Sequence, residues 1–243
     1  MIFTRQTKEA FSVFVTDKPV GQHKLVTPYD GSYLSPLYLY PDTADLYAPA
    51  QRRPNLKPEA IARLAQATGL TFEPEATEAP GTFAPLDVLD YVYGVLHQPA
   101  YRRRYHELLR IDFPRVPLPA TAGAFGAVVA YGRQLRKLHL LRPTALPVPL
   151  PTRTGGEGPG TVEKPRYEAA TQRVYLNASQ YVEPVPPAVW AFPIGGYQPA
   201  QKWLKDRQGR SLTFEEIRHY QRLLAALAGT EQLMLEWDAA HGA

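Results

Sequence analysis

The sequence contains no cysteine. Disulfides and zinc–thiolate sites are therefore excluded. No run approaches 18 consecutive apolar residues, so no membrane-spanning helix and no membrane partner are expected. The start, Met1-Ile2-Phe3-Thr4-Arg5, lacks the basic-then-apolar build of a secretory signal. A soluble, cytoplasmic chain is the expectation. Its 243 residues, 44% apolar and 21% charged, suffice for a buried core in one large domain or two small ones.

Catalytic signatures are missing as well. There is no Gly-x-x-x-x-Gly-Lys-Ser/Thr loop to cradle a triphosphate, and no Gly-x-Ser-x-Gly elbow. No Asp-x-Lys or Glu-x-Lys occurs to hold the metal of a common restriction-nuclease site. The one Pro-Pro pair, in Val185-Pro186-Pro187-Ala188, lacks the neighbours an adenine-modifying methyltransferase needs to hold a flipped base. The six histidines, at 23, 97, 106, 139, 219 and 241, never fall four apart, the spacing a helical metal site uses. Asp87 and Asp90 share a helix beside apolar residues, where the helix dipole accounts for them as well as catalysis does. No catalytic residue, metal or cofactor is expected in this chain.

Proline is what the chain has in excess: 25 residues, about twice the usual share. The prolines punctuate a sequence of short elements. Phe11–Thr16 and Tyr33–Tyr40 read as strands, the second interrupted by Pro36. A short helix begins at Pro58 and ends at Gly69. Residues 71–84 read as a linker or surface loop. Pro85–His97 has apolar residues at helical spacing, and Pro99 starts a second helix with Arg102, Arg103 and Arg104 turned mostly outward. Residues 111–119 carry three prolines and form an extended connector. Thr121 caps a helix that runs to about Leu141. Residues 143–160 read as flexible loop or tether. Val162–Glu168 and Arg173–Asn177 form a hairpin. Pro199–Arg207 is a short helix, and Thr213 with Glu216 opens a long one as a capping box. The fold class is α+β: a strand-rich N-terminal part and a central hairpin packed with several helices, the longest C-terminal. One domain over 1–243 is expected, with sub-parts at 1–84, 85–142 and 161–243.

The net charge of +4 is small but unevenly spread. Residues 99–142 carry nine basic and two acidic side chains, a net of +7, and residues 200–210 add +3. Such segregation either builds a basic face or merely solvates helix surfaces. The stretch from Tyr167 to Arg210 combines seven aromatic residues with Arg166, Arg173, Lys202, Lys205, Arg207 and Arg210, interleaved with Asn177, Gln180, Gln198 and Gln201. That inventory suits the gripping of phosphates and the reading of base edges. It also suits, more simply, an aromatic core with solvated charges around it.

Several blocks in order resemble one family. Leu86-Asp87-Val88-Leu89-Asp90-Tyr91-Val92-Tyr93-Gly94-Val95-Leu96-His97 leads into Pro99-Ala100-Tyr101-Arg102 and Ile111-Asp112-Phe113-Pro114-Arg115-Val116-Pro117. Arg173-Val174-Tyr175-Leu176-Asn177 with Gln180-Tyr181 follows, then Trp190, Ile194-Gly195-Gly196-Tyr197-Gln198 and Lys202-Trp203-Leu204-Lys205-Asp206-Arg207. Together they resemble the C-terminal specificity domain of Type ISP restriction-modification enzymes, over nearly the whole chain. The resemblance implies a long enzyme of nuclease, helicase-like ATPase, adenine-N6 methyltransferase and this target recognition domain. The first three have no counterpart here, so a fragment or a stand-alone homologue is expected. The implied function is sequence-specific recognition of double-stranded DNA, with methyltransferase and helicase-like domains of the same or a partner chain as partners. Lys202, Lys205 and Arg207 become candidates for phosphate contacts. Arg52, Arg53, Arg153 and Arg166 become candidates for guanine contacts, with Tyr181 and Gln198 as further DNA-binding residues. The alternatives are a protein-interaction module that docks onto a separate methyltransferase or ATPase subunit, and an enzyme with an unrecognised site.

Overall fold

The computed structural model describes residues 1–5, 10–18, 31–40, 52–75, 79–156, 158 and 160–241. The chain forms two compact units, Met1–Arg136 and Lys137–Ala243.

In the first unit, β1 (Ile2–Arg5) is the middle strand of an antiparallel sheet, between β2 (Val13–Phe14) and β3 (Gly31–Leu34). Of the strand expected over 11–16, only these two residues join the ladder, although Phe11, Ser12 and Val13 are all buried. Pro36 divides the next expected strand, as its missing N–H requires. The chain resumes as β4 (Tyr38–Leu39), paired with β5 (Arg53–Pro54). Helix α1 (Pro58–Thr68) has proline in its first turn and ends where Gly69 takes the left-handed conformation at φ 71°. The expected loop over 71–84 is not wholly irregular. Its ends, β6 (Thr71–Phe72) and β7 (Thr82–Phe83), pair in parallel, and the Phe72 and Phe83 rings meet at 5.3 Å.

Helix α2 (Pro85–His97) follows the expected bounds. The Asp87 carboxylate accepts a hydrogen bond from the Ala84 N–H and so closes the helix start. The helix expected from Pro99 breaks at Tyr105 into α3 (Pro99–Arg104) and α4 (His106–Ile111). Arg102 does not turn outward as expected. Its guanidinium donates to the Phe11 carbonyl at 2.6 Å, and burial lowers its pKa. The extended connector is pinned by two phenols: Tyr101 donates to the Arg115 carbonyl and Tyr91 to that of Pro117. Thr121 caps α5 (Ala122–His139) through the Ala124 N–H. Helices α2 and α5 cross where Gly94 and Gly132 let the backbones touch. A Cβ on Gly132 would lie 1.9 Å from the Asp90 carbonyl oxygen. At this crossing Arg136 and Arg133 of α5 meet the fully buried Asp90, and Arg133 also pairs with Asp87.

In the second unit, the expected hairpin is half of a four-stranded antiparallel sheet. Its order is β10 (Arg166–Glu168), β11 (Arg173–Tyr175), β12 (Tyr181–Glu183) and β8 (Thr152–Thr154). The stretch 143–160, read as a tether, therefore contributes an edge strand. It also holds a 3₁₀ turn at Pro143–Ala145. Of the strand read over 162–168 only β10 forms, after Pro165; just before that stretch, β9 (Gly160–Thr161) pairs with β13 (Ser211–Leu212) in a separate ladder. One face of the four-stranded sheet presents Tyr167, Val174 and Val182 to a core shared with Val189, Leu204, Tyr220 and Leu224. Those residues come from α6 (Pro187–Ala191), α7 (Pro199–Lys205) and α8 (Phe214–His241). Periodicity did not reveal α6, which is too short. The Tyr220 hydroxyl donates to the Ala200 carbonyl, and Trp203 stacks on the Tyr220 ring at 4.9 Å. The expected capping box forms: Glu216 N–H donates to Thr213 Oγ1, and Thr213 N–H to Glu216 Oε2. The fold is thus α+β, with the long helix C-terminal.

Candidate functional site

An open cleft of about 570 Å³ lies in the second unit, beside α7. Three segments build it. The bend before β10 contributes Lys164 and Pro165. The α6 end and the turn after it contribute Trp190, Gly196, Tyr197 and Gln198. Helix α7 and the residues after it contribute Gln201, Lys202, Lys205, Asp206 and Gln208.

The turn is a tight one. Ile194 and Tyr197 bridge through both backbone hydrogen bonds, which forces Gly195 to φ 60°, a conformation glycine adopts without steric cost. Tyr197 and Gln198 are thereby fixed at the cleft. Gln198 is the N-cap of α7, but its side chain caps nothing. Burial raises the Tyr197 hydroxyl pKa; the charge of Lys202 pulls against that rise and the charge of Asp206 adds to it. The phenol therefore remains a neutral donor at physiological pH.

The charges are unequal. Lys202 Nζ bonds both oxygens of Asp206 at 2.9 Å, an exposed pair one helical turn apart. Among the described residues, no carboxylate pairs with Lys164 or Lys205, so the cleft carries two uncompensated positive charges. Gln201 is committed to the Trp190 carbonyl. Arg207 is engaged elsewhere: its guanidinium lies 3.8 Å over the Trp203 ring, donates to the Trp203 carbonyl and approaches Glu216 at 3.5 Å.

The solvent-facing side of the sheet holds two more of the expected residues. Cross-strand register aligns Arg166, Tyr175, Tyr181 and Thr154 in one row. The Arg166 guanidinium stacks 3.6 Å over Tyr175, and that of Arg173 lies 4.3 Å over Tyr181. This face also carries two carboxylates. Glu183 neutralises Arg173, and Glu168 accepts from Thr171 and Tyr175. It is aromatic and mixed in charge rather than basic.

Arg153, one row along in β8, faces inward. Its Nη2 donates to the Gly158 carbonyl, where Gln180 also donates. In the first unit, Arg52 is held by Glu75 at 2.8 Å over the Tyr38 ring, and Arg53 sits exposed on β5. The cleft thus gathers Gln198, Lys202 and Lys205 from the residues expected to act together. Sequence reading missed Lys164. Its signal was Pro165, which cannot continue a paired strand and so turns the preceding residue out of the ladder.

The family of Type ISP C-terminal specificity domains matches residues 1–236. The chain belongs to this family. Two solved structures share the fold of this specificity domain. The first, a complex of DrdV with DNA, has a TM-score of 0.68 at 22% identity, over 97% of this chain and 24% of that one. The other is the ATP-dependent Type ISP restriction-modification enzyme LlaBIII bound to DNA. It has a TM-score of 0.59 at 20% identity, over 85% of this chain and 13% of that one. The specificity domain spans a quarter or less of either solved protein. No curated protein matches the chain. No described helix is long and apolar enough to cross a membrane.

Proposed function

We propose that this specificity domain recognises a particular sequence in double-stranded DNA. In this reading it serves a cytoplasmic restriction-modification enzyme whose adenine-N6 methyltransferase and helicase-like parts lie in other domains, of the same or a partner chain. The domain supplies recognition and leaves bond-making to those parts. Family membership and the DNA complexes of the two structural neighbours support the reading. The observation that carries it in this chain is the cleft, where unpaired lysines and amide side chains stand together.

Lysine ammonium groups bind phosphates as point charges and position a protein without reading sequence. Lys205, Lys202 and Lys164 take that role here. Lys202 must first share its charge with Asp206, so Lys205 and Lys164 contribute more. Arg207, already stacked and shared with Glu216, is the weakest phosphate candidate. Arg166, exposed on the sheet, takes the role of guanine reader. Arg153 we assign instead to holding the chain at Gly158.

The test is a fluorescence titration of duplex DNA at two salt concentrations, followed by selection from a random duplex pool. Binding that weakens steeply with salt, and a pool that converges on one sequence, are expected. No binding at low salt would favour a docking module that touches DNA little.

A further inference from the structure

The cleft holds more chemistry than a backbone phosphate needs. A phosphate asks for cations or N–H donors alone. This cleft also has an indole and a phenol in its wall, Trp190 and Tyr197. It has two amides, Gln198 and Gln208, that bond no other described side chain or backbone group. Its volume, about 570 Å³, falls in the range of pockets that enclose a small ligand, roughly 300–1,000 Å³. A duplex backbone running over a surface does not need such a concavity.

Ring surface, a donor–acceptor edge and a cation are the three parts by which proteins hold a nucleotide that has left its stack. The rings replace the stacking neighbours, the amides replace the Watson–Crick partner, and the ammonium groups meet the phosphate. All three parts are present, and the rings stand on fixed supports. Trp190 is braced by stacking on Tyr167 at 5.3 Å, and Tyr197 by the two-residue turn at Gly195.

We propose that this cleft takes one unstacked deoxynucleotide of a DNA strand. Its base lies against Trp190 and Tyr197, its edge meets Gln198 and Gln208, and its phosphate lies near Lys164 and Lys205. This inference rests on the reading of the domain as DNA-binding, and specifies which part of the DNA the cleft holds.

Unstacking a base from a duplex costs a few kcal/mol, and an unpaired nucleotide has already met most of that cost. The experiment compares two duplexes, identical except for one extra unpaired nucleotide at the centre, titrated against the 243-residue chain at one salt concentration. The bulged duplex is expected to bind at least ~10-fold tighter. That ratio should fall toward one in Tyr197→Ser and in Gln208→Ala, whose side chains line the cleft. Equal affinity for the two duplexes would overturn this inference while leaving the DNA reading intact. A preference that survives both substitutions would also overturn it, because the preference would then come from the bend in bulged DNA. Binding to neither duplex would overturn the DNA reading itself, and this inference with it.

Discussion

Arg136 grips the Asp90 carboxylate in a bidentate fork, Nε to Oδ1 and Nη2 to Oδ2, across the crossing of α2 and α5. Asp90 is fully buried and its partner nearly so. Burial raises the Asp90 pKa, and the hydrogen bonds and charge of Arg136, with the charge of Arg133, pull against that rise. The pair is thus a fixed connection between two helices, made at a substantial desolvation cost.

Arg136→Met should destabilise the protein by about 3 kcal/mol, since it leaves a buried carboxylate whose remaining cation, Arg133, sits 3.6 Å away. Urea unfolding measures this. Adding Asp90→Asn should recover much of the loss, because the uncompensated charge is then gone. A loss below about 1 kcal/mol for Arg136→Met alone would show that the pair is not needed to hold the crossing.

Two of the three glycines of α5 should respond in opposite directions. Gly132→Ala places a methyl 1.9 Å from the Asp90 carbonyl oxygen, which belongs to the backbone and cannot swing away. A cost of at least ~3 kcal/mol is expected. Gly126 meets nothing within 4 Å on the same helix, so Gly126→Ala should stabilise by ~0.5–1 kcal/mol. Thermal melts of the two variants side by side check both signs.

The contrast between these helices and the strands explains what could be read in advance. Pro85–His97 was legible because a proline start, an apolar face and thirteen residues all agree. Strand β8 was not, because Thr152-Arg153-Thr154 sits among prolines and glycines and owes its order to pairing with β12. The cleft was half legible. Gln198, Lys202 and Lys205 are close in sequence, whereas Lys164 arrives only through the bend at Pro165. Arg102 misled, since a run of three arginines gives no sign that one of them reaches the Phe11 carbonyl.

Stability should fall on the mildly acid side, with His139 the main contributor and His219, whose pKa burial also lowers, adding in the same direction. His139 lies in the second unit, where its Nε2 donates to Thr230 Oγ1, whose own proton goes to the Ala226 carbonyl. Burial lowers its pKa from 6.5 to about 4. The unfolded chain therefore binds the proton first as pH falls. The stability it contributes is fully present above pH 6.5 and is lost between 6.5 and 4, by up to ~3 kcal/mol. In His139→Gln the urea midpoint should vary less across that window. An unchanged slope would show that other groups set the acid response.

Lys205 and Arg207 stand two residues apart and should fail in different ways. Lys205 is exposed and unpaired, so Lys205→Ala should leave the melting temperature unchanged. It should weaken binding to all duplexes alike and reduce the slope of log K against log salt by ~1. Arg207 is stacked on Trp203 and bonded to its carbonyl, so Arg207→Ala should cost stability, by ~0.5–1 kcal/mol for the ring contact alone. Its salt slope should change by much less. Calorimetric melts and duplex titrations at several salt concentrations separate the two. A slope change from Arg207→Ala as large as that from Lys205→Ala would mean that its guanidinium leaves Trp203 when DNA is bound, and that the phosphate contact outweighs the stack.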